Sequence, residues 1–255
     1  MKLQEKNVLV TGASAGIGKA CAYAFAEEGA NLVLFARRQE KLADIAEDIK
    51  KKYGVRVSIA QCDVRNYNEV ESKISELPED FAQIDILINN AGLARGLGTV
   101  VNAELSDWDE MIDTNIKGLL YVTRVIAPKM AARGEGHIIN IGSIAGWEVY
   151  PGGSVYCGTK HAVRAISKGM TIDLNGTNIK VTEIDPGMVE TEFSLVRFHG
   201  DDERAGKVYN GVEPLTGCDV AELAVFAATR SKHVSIQTII ATPLAQANTY
   251  ILKRD

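Results

Sequence analysis

The stretch Asn7-Val8-Leu9-Val10-Thr11-Gly12-Ala13-Ser14-Ala15-Gly16-Ile17-Gly18 decides the fold. An apolar run leads into a glycine-rich turn, and a helix with apolar Ala20, Ala24 and Phe25 follows up to Gly29. The glycines let the backbone turn sharply and approach a diphosphate, while the helix N-terminus offers free N–H groups and a positive dipole end. The spacing is G-x-x-x-G-x-G rather than G-x-G-x-x-G, and glycine turns also close ordinary strand–helix connections. Its place at the first strand–helix crossing is what gives it weight.

Working outward, the alternation continues. Residues 31–35 (NLVLF) form an apolar strand, as in a parallel sheet covered on both faces. The pattern predicts helices at 39–53 and 66–77 and strands at 55–60, 84–88, 137–141, 179–184 and 234–239. A long helix is expected over 107–133, another opening at Ser154 as N-cap, and a last one over 219–229. Each strand–helix unit takes roughly 25 to 30 residues, as a doubly wound sheet requires. The fold class is therefore α/β: one Rossmann domain over residues 1–255, with a seven-stranded parallel sheet and helices on both faces. Residues 188–212 are too long for an ordinary connection and are expected to form a substrate-binding lid.

With 46% hydrophobic and 24% charged residues, the 255-residue chain has the composition of a globular domain. A net charge of −5 argues against a nucleic-acid surface. No apolar run reaches the roughly 18 residues of a membrane helix, and the start does not read as a signal peptide. A cytoplasmic location is expected. Cys21, Cys62, Cys157 and Cys218 lack paired or metal-ligand spacing, and the four histidines form no cluster. No metal is expected.

At the second strand's end stand Ala36, Arg37 and Arg38, where an acidic residue would accept hydrogen bonds from a ribose diol. Arginine instead matches a 2′-phosphate in charge and fork geometry, so NADP is preferred over NAD. The plain alternative is a pair of solvated arginines at a helix start.

Ser143, Tyr156 and Lys160 lie within the run GSIAGWEVYPGGSVYCGTK. The i,i+4 spacing puts the phenol and the amine on one helix face. A phenol titrates near 10, and bringing it close to neutrality takes about 3 to 4 kcal/mol of preferential phenolate stabilisation. A nearby ammonium acts in that direction. The Ser143 hydroxyl then orients a carbonyl or alcohol oxygen for proton transfer. Taken alone, Tyr-x-x-x-Lys is commonly a surface pair. Asn115, in mid-helix, is either solvated or wedged into a polar network.

Thr11-Gly12-x-x-x-Gly16-x-Gly18, Asn89-Asn90-Ala91-Gly92, Asn115, Ser143, Tyr156-x-x-x-Lys160 and Pro186-Gly187-x-x-x-Thr191 stand in the order and spacing of the short-chain dehydrogenase/reductase family, which the whole chain resembles. Arg37-Arg38-Gln39-Glu40, residues 111–124, the run GHIINIGS ending at Ser143, and residues 191–198 make it most similar to the NADP-dependent 3-hydroxy acid dehydrogenases, the serine and L-allo-threonine dehydrogenases among them.

The resemblance implies roles. Tyr156 is the general acid/base, Lys160 lowers its pKa and bonds the nicotinamide ribose, and Ser143 holds the substrate oxygen. Asn115 anchors a water linking Lys160 to solvent. Gly12, Gly16 and Gly18, with Ile17, shape the diphosphate turn. Asp63 and Val64 flank the adenine, and Asn90, with Ala91 and Gly92, borders the adenosine ribose. Pro186, Gly187, Val189 and Thr191 hold the carboxamide. Arg37 contacts the 2′-phosphate, helped by Arg38 and Ser14. Many NADP-preferring relatives carry a further basic residue inside the glycine turn; here Ser14 and Ala15 are neutral, which implies preference rather than exclusivity.

The implied reaction moves a hydride between NADP(H) and the hydroxyl carbon of a small 3-hydroxy acid. Arg95 and Arg197 are the carboxylate candidates, or are solvated. Trp147 and Tyr150 line the pocket, or pack the core. The alternatives are a broad carbonyl reductase and, of another class, a non-catalytic NADP-sensing protein. The latter typically lacks the tyrosine or lysine. The resemblance also implies a homotetramer built on the helices at 107–133 and 154–174.

Overall fold

A computed structural model describes residues 1–255. Its seven strands form one parallel sheet in the order β3-β2-β1-β4-β5-β6-β7. They are β1 (Asn7–Thr11), β2 (Asn31–Ala36), β3 (Val57–Gln61), β4 (Ile86–Asn89), β5 (Gly136–Ile141), β6 (Ile179–Pro186) and β7 (Thr238–Ala241). β1, β2, β4 and β5 are buried throughout, which is why they read as mainly apolar runs rather than alternating ones.

One face of the sheet is covered by α1 (Gly16–Glu27), α2 (Gln39–Tyr53) and α9 (Gly217–Ala228), where Phe25, Leu42, Ile49 and Val220 are buried against Val8, Val10 and Leu34. On the opposite face, α3 (Tyr67–Ser75) and α5 (Leu119–Arg133) bury Val70, Val122, Ile126 and Met130 against Leu9, Leu87 and Ile138. Fully burying such a side chain contributes roughly 1.5 to 3 kcal/mol, so the two apolar layers dominate stability. The strand order reverses direction between β1 and β4, and the crevice at their carboxyl ends is where this architecture binds ligands.

Several boundaries differ from the sequence expectation. The helix expected over 107–133 is α4 (Leu105–Ile112), a π-helical turn (Asp113–Gly118) and α5. The π turn pulls Asn115 inward onto Leu93, while Gly118 sits so close to Val64 that a Cβ there would lie 2.6 Å from Cγ2. β7 begins at Thr238 rather than Val234, because the chain leaving α9 first turns, with Val234 N–H donating to Ser231 O at 2.9 Å. β3 begins at Val57, because the Asn31 side chain takes the Arg56 N–H at 3.1 Å.

Ser154 is the first residue of α6 (Ser154–Asp173), not its cap; Gly153 holds that position and makes no side-chain bond. The 188–212 segment carries two short helices, α7 (Phe193–Arg197) and α8 (Asp202–Lys207).

Candidate active site

β5 ends at Ile141 and hands over to Gly142-Ser143, while α6 rises beside it with Tyr156 and Lys160 one turn apart. Tyr156 and Lys160 are 9% and 7% exposed, so neither belongs to a solvated surface pair. Lys160 Nζ donates to the Ile141 carbonyl at 3.0 Å and lies 6.0 Å from the centre of the Tyr156 ring. Burial pushes the Lys160 ammonium down to about 8, opposed by the carboxyl groups of Asp185 and Glu183.

Burial also drives the Tyr156 phenol above its ordinary value, with Tyr150 adding to the rise. The Arg197 charge and the Ser143 hydroxyl act the other way. This differs from the lysine-lowered phenol expected from the i,i+4 spacing. In the chain by itself, the desolvation of a phenolate outweighs the cations around it.

Ser143 is held from beneath. Its N–H donates to Asp185 Oδ1 at 3.0 Å, and Asp185 Oδ2 accepts Trp147 Nε1 at 2.8 Å. Burial raises both Asp185 and its neighbour Glu183 above the ordinary carboxylate range, and Asp185's charge raises Glu183 further.

Asn115 is 2% exposed, and its amide is fully engaged. Oδ1 accepts the Leu93 N–H at 2.8 Å, while Nδ2 donates to Leu93 O at 2.8 Å and to Thr159 Oγ1 at 3.0 Å. A Cβ placed on Gly92 would lie 3.3 Å from Asn115 Oδ1 and 3.7 Å from Lys160 Nζ. The two side chains thus face one another across the space this glycine leaves.

From this centre a cavity of about 340 Å³ runs along the sheet edge to Arg37 and Arg38. Ser143, Tyr156 and Lys160 line one end, where Ser143 Oγ lies 3.5 Å from Pro186 O, and Gly187, Val189 and Thr191 continue the wall from there. Gly12, Ser14, Gly16 and Ile17 form the middle, with Asn90, Ala91 and Gly92. Asp63 and Val64 join the two arginines at the far end. Gly12 has φ +66°, and a Cβ there would lie 2.9 Å from Ala91 Cα, so only glycine lets the two turns approach this closely.

Gly18 lies off the cavity wall. It packs where Asn90 Nδ2 donates to Thr11 O at 2.9 Å and Gly12 O at 3.3 Å, so the Asn90 side chain ties the turns together. Asp63 is claimed by Arg65, whose hydrogen bonds hold its carboxyl below the ordinary range. This wall fits a dinucleotide: a glycine cradle at the middle, apolar and amide surface at the Tyr156 end, and cations at the other.

The four substrate candidates separate. Arg95 is paired, donating to Glu110 Oε2 at 2.7 Å and Val196 O at 2.6 Å. Trp147 is bonded to Asp185 and stacked under Arg164 at 3.3 Å, away from the main cavity. Arg197 stacks over Tyr156 at 5.0 Å and Phe193 at 5.2 Å and donates Nη2 to the Tyr150 hydroxyl at 2.6 Å. Its buried Nε has no partner. Arg197 and Arg95 both line a smaller adjoining cavity of about 180 Å³, and Tyr156 borders both cavities.

Thr114, Glu192, Phe193 and Val196 also stand on the wall; the last three fall in the 188–212 segment expected as a lid, and Thr114 was not expected. Their placement depends on the π turn and on α7, which no local pattern announces.

The model of the short chain dehydrogenase family matches residues 6–200, and the chain belongs to that family. It is 47% identical over 241 residues to the NADP-dependent 3-hydroxy acid dehydrogenase YdfG of Salmonella typhi, covering 94% of this chain and 96% of the relative. It is 43% identical over 250 residues to sulfoacetaldehyde reductase 2 of Chromohalobacter salexigens, covering 97% and 98%. The closed form of serine dehydrogenase complexed with NADP+ superposes with a TM-score of 0.91 at 44% identity, covering 98% of this chain and 99% of that one.

Proposed function

We propose that this chain is an NADP-dependent oxidoreductase acting on the hydroxyl carbon of a small 3-hydroxy acid. The observation that carries the reading is Arg197: a cation with an unpartnered buried Nε, stacked on the Tyr156 ring. The similarity to the 3-hydroxy acid dehydrogenase and to NADP-bound serine dehydrogenase supports it. The likeness to a sulfoacetaldehyde reductase supports the same anion requirement, since a sulfonate and a carboxylate present similar charge to a guanidinium.

Bound NADP+ supplies the hydride acceptor. The chain supplies positioning and proton transfer. Ser143 Oγ and the Tyr156 phenol hold the substrate oxygen, and Tyr156 takes the hydroxyl proton in oxidation and returns it in reduction. Lys160, fixed by Ile141 O, holds the nicotinamide ribose and favours the phenolate as the reaction proceeds. The space between Asn115 and Lys160 at Gly92 takes the water that relays the proton outward. Residues 188–212 serve as the lid, excluding water by seating Phe193 on Tyr156 at 5.7 Å.

Arg37, Arg38 and Ser14 receive the 2′-phosphate. Arg38 is the more closely placed, with Nε and Nη2 on Ser14 Oγ at 3.2 and 3.0 Å, while Arg37 leans to Glu110 at 3.5 Å.

The assembly we propose is a cytoplasmic homotetramer. Exposed Leu120 on α5 and Ile172 on α6 support an interface there, and four unpaired thiols support a reducing compartment. Light scattering that returned only monomer would remove the tetramer.

The deciding experiment is initial-rate oxidation of L-serine, L-allo-threonine and 3-hydroxyisobutyrate with NADP+ and NAD+, beside simple secondary alcohols. Hydroxy-acid turnover with NADP+ preferred is expected. Activity confined to neutral alcohols would leave the acid–base centre standing and overturn the anion-binding reading.

A further inference from the structure

The adenosine end of the cavity already holds an anion, supplied by the chain itself. Glu192 follows Thr191 directly and precedes α7, at the root of the lid. Its Oε1 accepts from Lys41 Nζ at 2.8 Å and its Oε2 from Arg38 Nη1 at 2.7 Å. The same guanidinium gives its other edge to Ser14 Oγ. Three segments distant in sequence, the glycine turn, the start of α2 and the root of the lid, therefore meet at one arginine. The bond from Lys41 holds the Glu192 carboxyl below its ordinary range, against partial burial and with Arg38 assisting. Since Arg37 leans to Glu110, every cation at this end has a carboxylate partner.

A phosphate monoester carries roughly 1.5 to 2 negative charges near neutral pH and seeks the same guanidinium and ammonium donors. Carboxylate and phosphate cannot share those donors without like-charge repulsion. We propose that Glu192 is a displaceable stand-in for the cofactor's 2′-phosphate, a latch that ties the root of the lid to α2 in the free enzyme and yields Arg38 and Lys41 when NADP(H) seats. This rests on the reading of the arginine end as the 2′-phosphate end, and it adds Lys41 to the phosphate's ligands.

NAD(H), lacking the phosphate, leaves the latch closed. Because α7 follows Glu192 and carries Phe193 and Arg197 onto Tyr156, the identity of the cofactor at one end is felt by the residues around the acid–base group at the other. The side chains of Arg38, Lys41 and Glu192 are 44%, 48% and 40% exposed, and exposed ion pairs are individually weak. A latch that must open on every encounter needs bonds of that strength.

The test is Glu192→Gln in the full chain, with dissociation constants for NADPH and NADH from fluorescence titration and with 2′-AMP and 5′-AMP as competitors. Removing the internal competitor is expected to tighten NADPH and 2′-AMP by about three- to tenfold, with no tightening of NADH or 5′-AMP. NADPH binding that is unchanged or weaker in the variant, or NADH tightening to the same extent, would overturn the latch. Wild-type protein that fails to discriminate NADPH from NADH, and 2′-AMP from 5′-AMP, would instead overturn the reading of the arginine end itself.

Discussion

The Asn115 side chain brackets the Leu93 peptide, accepting its N–H and donating to its carbonyl, both at 2.8 Å. This pins the segment that leaves Asn90-Ala91-Gly92 to the π turn between α4 and α5, next to Lys160. Asn115→Ala leaves the Leu93 N–H and C=O without these partners, and each buried unsatisfied group costs roughly 1 to 3 kcal/mol. A lower urea midpoint is expected, together with a kcat that falls more than NADPH affinity does. Intact kcat with lowered stability would restrict Asn115 to a structural part.

Tyr156→Phe keeps the ring that packs on Phe193 and removes the hydroxyl proposed to exchange a proton with the substrate oxygen. Positioned acid–base groups contribute about 10² to 10⁴ in rate. Turnover should fall by that order while NADPH titration changes within a few fold. Burial raises the Tyr156 pKa, so oxidation by the wild type should quicken from pH 7 to 9 and reduction should not.

Arg197→Met removes both the proposed anion anchor and a cation that lowers the Tyr156 pKa. A charge-assisted hydrogen bond is worth about 1.5 to 3 kcal/mol, so KM for 3-hydroxyisobutyrate should rise roughly 10- to 150-fold while that for a neutral secondary alcohol does not. Without that cation the phenolate is less favoured, and the acid limb of the oxidation profile should move to higher pH. Equal effects on charged and neutral substrates would count against the anchor.

His137 sits on β5 at 4% exposure, with Nε2 on Thr182 Oγ1 at 2.8 Å and Nδ1 unpartnered. Burial pushes its pKa down to about 3, with Lys180 adding to the fall. The ring stays neutral in the folded chain and takes a proton when the chain unfolds. Its contribution is therefore present above pH 6.5 and is lost as the pH falls towards 3. At pH 5 the loss is about 2 kcal/mol. Urea unfolding at pH 7.5 and pH 5 should show this slope in the wild type and a smaller one in His137→Gln.

Much of the frame was legible in the chain because its signals are local. Apolar runs of five or six residues, glycines at fixed offsets and a Tyr–Lys pair at helical spacing need no partner to be recognised. They placed the parallel sheet, the glycine turn and the pair on α6. The length of β7 and the break in the 107–133 helix were not legible. One depends on where β6 offers hydrogen bonds, the other on what Asn115 and Gly118 meet across the fold.

What the sequence by itself determined is the order of strands and helices, the glycine cradle and the presence of Ser143, Tyr156, Lys160 and Asn115. The elements and the cradle follow from backbone preference and the period of burial; the four side chains are singled out by the motifs of the short-chain dehydrogenase/reductase family. Only the tertiary structure shows which partners the arginines take. Arg95 and Arg197 read alike in the sequence; in the fold Arg95 pairs with Glu110, 15 residues away, while Arg197 Nε is left without a partner. Arg38 came forward beside Arg37 because Ser14 and Glu192, the latter 154 residues away, converge on it. A long charged side chain can reach several partners, and its choice depends on which opposite charges the folded chain brings within about 3 Å.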